Sequence, residues 1–357
     1  MTELLVGTRK GLFVLKGDRS GPLDLIARAF AGDAVEYAVR DPRSGRTFAS
    51  VTSAFYGPRI YVTDSDPAEG SWRQATGPSF PADVPDAAVE RIWVITPAEE
   101  PRVLYAGTDP AALWRSEDDG ETWELNRPLW NVPTRADWSP GAGGLMVHSI
   151  CPWPGDPDRL AVGISAAGVW LTDDRGESWR TGYTGLVAGY LPDDAREGTH
   201  MLCIHHMRRA QARPERVFMQ FHGSVYRSDD GGAAWTDIST GLPSGFGFPL
   251  VVDPSDPDSA YVIPLTGAED RVTPDGQVLV YETRDAGATW IPRGGGLPGE
   301  GAYLTVLRQA FDGDGASPLG LWFGATSGEV FGSADGGSSW FTAATRLPPV
   351  SSVRVLR

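Results

Sequence analysis

Apolar residues recur along the chain in short runs separated by glycine, proline and aspartate. Val147–Cys151, Leu160–Ile164 and Gly168–Thr172 are three consecutive examples. Short runs rich in β-branched and aromatic residues and bounded by turn residues predict strands. After the third run comes Thr172-Asp173-Asp174-Arg175-Gly176-Glu177-Ser178-Trp179, and Ser178–Thr181 completes a unit of four predicted strands.

That unit repeats. The pattern Ser/Thr-x-Asp-x-Gly-x-x-Trp occurs at 116–123, 172–179, 228–235, 283–290 and 333–340, and a decayed copy at 63–72 keeps Asp64, Asp66, Gly70 and Trp72. Successive tryptophans lie 50 to 56 residues apart, the period of a four-stranded propeller blade. Inner strands then fall at Val35–Val39, Val89–Ile95, Val147–Cys151, Met201–His205, Phe248–Val252 and Tyr303–Leu307. A seventh blade takes its inner strand from Ser352–Leu356 and the rest from Leu4–Gly7, Leu12–Leu15 and Leu23–Ala27, which removes the exposed edges of an open ring. The expectation is an all-β, seven-bladed propeller, a single domain over residues 1–357.

The repeated turn has a physical reading. Asp caps backbone N–H groups, Gly accepts a positive φ, and Trp packs between blades. In these residues the chain resembles the Asp-box (BNR) repeat proteins, which include sialidases, xyloglucanase-like glycosidases and photosystem assembly propellers. More specifically, Trp138-Ser-Pro-Gly-Ala-Gly-Gly-Leu-Met-Val-His148, Phe221-His222-Gly-Ser-Val-Tyr-Arg-Ser-Asp-Asp-Gly and Phe323-Gly-Ala-Thr-Ser-Gly-Glu-Val-Phe-Gly-Ser resemble a bacterial group labelled "glycosyl hydrolase" or "exo-sialidase-like". The resemblance implies the fold. It does not carry the sialidase catalytic set, because Arg59-Ile60-Tyr61 lacks the proline of the sialidase Arg-Ile-Pro motif and lies in a different blade.

Composition agrees with many short strands: 44 Gly and 29 Pro are spread along 357 residues with 13 Trp. The 46 acidic residues outnumber the 31 Lys and Arg, for a net charge of −15, and no basic block offers a nucleic acid or an anionic membrane a footing. The N-terminus carries no signal-peptide pattern and no window approaches a membrane span, so a cytoplasmic location is expected. Cys151 and Cys203 are read as core thiols. The closed ring predicts a monomer.

Two stretches, 125–146 and 181–199, exceed what turns require and are expected to line a site or form a lid. All five histidines lie between residues 148 and 222. Superposing the two blades that carry them brings His148, His205 and His222 to one mouth of the channel. Three neutral imidazoles suit a divalent metal, zinc foremost, with copper, iron or manganese as alternatives. Adjacent strand residues face opposite ways, so His205 and His206 cannot both enter the channel; His200 or His206 could replace one of the three ligands.

Glu90 and Asp109 are the expected proton-moving carboxylates. Glu36, Arg91, Arg135, Trp138 and Tyr303 are expected to contact a small-molecule substrate. The segment 245–249, together with Tyr303 and Arg308, offers an apolar wall and an anion contact. These residues lead to a metal-dependent hydrolase or lyase-like enzyme. The alternatives are a metal-free glycoside hydrolase using two of Glu36, Glu90 and Asp109, and a non-enzymatic binding or assembly propeller.

Overall fold

The computed structural model describes residues 1–356; the last residue of the expected domain lies outside the described residues. Five four-stranded antiparallel sheets follow one another in the chain, spanning residues 34–74, 91–125, 147–181, 204–237 and 247–293. A sixth sheet has eight strands in two four-stranded halves, which meet at a parallel bridge between Gln309 and Ser352. One half is built from residues 306–344. The other joins the C-terminal strand Val350–Val355 to Thr2–Thr8, Gly11–Gly17 and Leu23–Ala29, with Leu4 opposite Val355.

Seven four-stranded units therefore stand in a ring among the described residues. Their inner strands are Ala34–Arg40, Arg91–Pro97, Val147–Trp153, Ile204–Arg209, Gly247–Val252, Val306–Gly313 and Val350–Val355. Each packs against the next, and the last packs against the first. This is a β-propeller closed by N- and C-terminal strands in one blade. No helix among the described residues is long and apolar enough to cross a membrane.

Three inner strands start later than the sequence predicts, by two residues at Val89 and by three at Met201 and Tyr303. At Met201 and Tyr303 the chain still belongs to the incoming loops, whose N–H groups are used elsewhere. Cys203 N–H donates to the Tyr190 hydroxyl and Leu304 N–H to Thr273 Oγ1. The ladders begin at Ile204 and Val306.

The repeated turn is built as its residues dictate. In all five copies the Gly N–H donates to the Ser or Thr hydroxyl, at 2.7 to 2.9 Å. In all five the Asp carboxylate accepts the N–H four residues on, at 2.8 to 2.9 Å. The glycines have φ between 82° and 108°, a region that costs other residues strain. Trp235 and Trp290 bury their rings and donate to Gly182 and Ile238 carbonyls. Those acceptors lie just beyond the preceding blade's outer strand, so the tryptophan ties one blade to the next.

Candidate functional site

All seven inner strands break register at the same level. Glu36, Trp93, His148 and His205 are each a single extra residue against the second strand. Phe248-Pro249 and 307–310 form larger irregularities, and Ser351 is skipped where the last strand pairs with the first. Bulges re-aim side chains next to sites. Here they deliver Glu36, Trp93, His205, Phe248, Arg308 and Ser351 into one cavity of about 540 Å³ at the channel mouth.

Its remaining walls come from loops. Gly141, Ala142 and Gly143 arrive from the first long loop, as expected. The second long loop brings Tyr190 against the His222 ring, with centroids 4.6 Å apart. Phe246 and Phe248 form an apolar wall beside His205.

The channel does not run through. Arg308 and Gln309 cross it, donating to the His205 and His148 carbonyls at 3.0 Å. Below lies a second cavity of about 350 Å³, lined by His148, His206, Arg208 and Arg354. His205 and His206 thus face different cavities, in keeping with strand alternation.

The expected histidine triad is corrected at one position. His148 sits at the bulge, but both its ring nitrogens are engaged. Nε2 is 2.8 Å from the Ile204 carbonyl and Nδ1 is 2.9 Å from Ser149 Oγ, which itself accepts the Met207 N–H. A carbonyl can only accept, so Nε2 carries the proton. Burial foremost, then Arg308, pushes the ring well below the usual histidine range. His148 is a neutral stitch between two blades. The group that does converge among the described residues is different: Cys203 Sγ and nitrogens of His205 and His222 lie within 4.8 Å of one another.

The other two histidines are suited to donate lone pairs. His205 Nδ1 is 2.6 Å from the Gly247 carbonyl, which puts the proton there and leaves Nε2 bare. His222 Nδ1 is buried without a hydrogen-bond partner. Burial lowers the pKa of both rings, more for His205. His200 sits apart, 3.3 Å from the Asp137 carbonyl.

Glu36 lines the cavity, and burial raises its pKa against the pull of Arg91 and Arg9. Asp33 and Arg91 line it too. Asp109 stands behind the glycine loop, 3.0 Å from where a Cβ on Gly144 would lie. Burial, and then Glu90, raises its pKa. Glu90 is exposed, and its N–H extends the ladder to the Asp109 carbonyl.

Three expected substrate contacts fall elsewhere. Arg135 packs against Trp130 and Trp138, 3.9 and 4.8 Å from the ring centres, and donates to the Ala111 carbonyl. Both Arg135 and Trp138 are spent on holding their loop, because a desolvated guanidinium is satisfied by ring faces and a carbonyl. Tyr303 is 64% exposed beside Gly276, since its strand starts three residues later. Sequence reasoning passed over Trp93, Cys203 and Arg271. Trp93 was recoverable from alignment with Glu36 and His205 on the inner strands.

Fold and site together define a β-propeller with one blind, mixed polar and aromatic cavity at a channel mouth. Among curated proteins, the chain is 26% identical over 207 residues to an oligoxyloglucan-reducing end-specific xyloglucanase of Emericella nidulans, covering 55% of this chain and 23% of that protein. It is 25% identical over 248 residues to a xyloglucanase of Paenibacillus sp., covering 62% of this chain and 22% of that protein. The chain thus spans less than a quarter of either relative. Among solved structures, an ancestral GH74 enzyme matches 99% of this chain and 40% of its own length, with a TM-score of 0.58 and 15% identity. The periplasmic gluconolactonase of Pseudomonas aeruginosa matches 100% of this chain and 99% of its own, with a TM-score of 0.64 and 11% identity. No family model matches the chain.

Proposed function

We propose that the mouth cavity is the active site of a glycoside hydrolase-type enzyme acting on a small carbohydrate, with Glu36 as the proton donor. The observation that carries the reading is Glu36 itself, a carboxyl aimed into the cavity by a bulge and made harder to ionise by burial. A general acid must hold its proton near neutral pH, and burial is the usual means. Asp33, the other carboxylate on the cavity wall, takes the second role that glycoside hydrolysis requires. Trp93 and Phe248 offer flat apolar faces for a sugar ring. The xyloglucanase relatives support the reaction class.

The test is hydrolysis of xyloglucan oligosaccharides and a panel of aryl glycosides. Glu36→Gln is expected to lower turnover about 10²- to 10⁴-fold with substrate binding retained. No hydrolysis of any panel member by the unaltered protein, or full turnover by the variant, sinks the reading.

A second reading, a metal-dependent hydrolase, is favoured by the convergence of Cys203, His205 and His222. Two imidazoles and a thiolate suit zinc or a softer ion and leave a position for water. Arg271 and Arg308 oppose a cation there, and burial raises the Cys203 pKa against their pull, which disfavours the thiolate. Elemental analysis of tag-free protein decides it: about one equivalent of metal, absent from Cys203→Ser/His222→Ala, supports the centre, and none in either removes it.

A further inference from the structure

The cavity inverts the charge of the protein around it. Acidic residues outnumber basic ones 46 to 31 in the whole chain. The cavity is lined by Arg9, Lys10, Arg91, Arg271 and Arg308 against only Asp33 and Glu36. None of the five cations forms an ion pair among the described residues, although 20 such pairs exist elsewhere.

Arg308 is the innermost of the five. Its guanidinium has the His205 carbonyl at 3.0 Å and Met146 Sδ at 3.2 Å as hydrogen-bond partners. The Trp93 and Phe248 ring centres lie 5.5 and 5.7 Å away. These are neutral groups. Burial foremost, with Arg271 adding to it, pushes the pKa of Arg308 down to about 10. At neutral pH it still holds its proton, so it remains a desolvated charge among neutral hydrogen-bond partners, an arrangement that is costly to maintain. Arg271 also lies against Phe248, 5.6 Å from that ring, and is exposed. An anion entering the mouth would meet Arg271 first and Arg308 at the floor.

We propose that the ligand of this cavity carries an anionic group, a carboxylate or a phosphate, that seats against Arg308 with Arg271 at the entrance. The inference rests on reading the cavity as a carbohydrate site and narrows the substrate class to acidic or phosphorylated sugars. Arg308 can offer a paired N–H face to either group. Seating the anion there leaves the sugar body against Trp93 and Phe248.

The experiment is titration calorimetry at fixed ionic strength with inorganic phosphate, glucuronate and glucose, on the unaltered protein, Arg308→Gln and Arg271→Gln. Phosphate or glucuronate is expected to bind at least about tenfold tighter than glucose, and whichever does identifies the anionic group. Arg308→Gln should abolish that preference. Arg271→Gln, at an exposed position, should weaken it severalfold and keeps the test decisive if Arg308→Gln fails to fold. Equal binding of all three probes, or an anion preference unchanged in both variants, overturns the inference. Its failure is separable from failure of the hydrolase reading. Hydrolysis of neutral glycosides without anion preference removes this inference alone, and anion preference without any hydrolysis removes the other.

Discussion

The outer turns and the inner bulges are both repeated around the ring, and they repeat different things. The turn reuses Ser or Thr, Asp and Gly in the same hydrogen bonds five times. The bulge reuses only a backbone irregularity and fills it with Glu36, Trp93, His148, His205, Phe248, Arg308 and Ser351. Where a fold needs the same bond in each blade, the residue is held constant. Where the geometry serves a shared cavity, the six bulges that reach it each contribute a different side chain, and His148 of the remaining blade stays between blades.

If that contrast is right, damage at the turn should register as lost stability and damage at the bulge as lost function. The largest stability effect is expected from Trp290→Ala, which empties a buried inter-blade contact and strands the Ile238 carbonyl. Urea unfolding should show a loss of about 3 to 5 kcal/mol, with ligand binding by the folded fraction unchanged. A loss below about 1 kcal/mol would break the comparison on the turn side.

Asp285→Ala, in the same turn, is expected to cost about 1 kcal/mol, the usual loss when a cap is removed. The carboxylate accepts from the Thr289 N–H and hydroxyl and the Thr283 hydroxyl. The Thr289 hydroxyl foremost holds its pKa below the ordinary aspartate value. Its contribution is therefore present above that ordinary value and fades as pH falls through the lowered one. Unfolding at pH 7 and pH 3 should show the variant and the parent converging in acid.

Glu36→Gln should have the smallest effect on stability, with the opposite sign. Burial raises the Glu36 pKa, so the folded state binds a proton more readily than the unfolded chain. Stability then declines as pH rises from the ordinary glutamate value through the raised one. The variant should melt slightly higher than the parent at pH 7.5, by no more than about 3 °C, and equally at pH 3.5. A lower melting point at pH 7.5 would mean that the Glu36 charge is structurally compensated, and the bulge would then belong with the turns.

The turns were legible in the sequence because their bonds close within eight residues. The ring closure was legible for a related reason: six complete units and two terminal fragments leave one arrangement that pairs every edge, and Leu4 opposite Val355 meets it. The bulges were not legible. Which residue of an inner strand is the extra one depends on how the second strand pairs with it, and a slip of one residue exchanges the two faces. His148 and His205 occupy the same position in neighbouring blades, yet one ring is held by the Ile204 carbonyl and the other faces the cavity. Arg308 illustrates the same limit, since its partners lie 103 and 162 residues away across the channel.

The chain's own pattern therefore determined the strands, the repeated turn and the closed ring, all of which rest on local bonds and a regular period. Only the tertiary structure decided that Cys203 joins His205 and His222, that Arg308 divides the channel, and that a protein of net charge −15 holds a basic cavity. Those outcomes depend on register and on contacts between blades, where the distance that matters is measured across the channel.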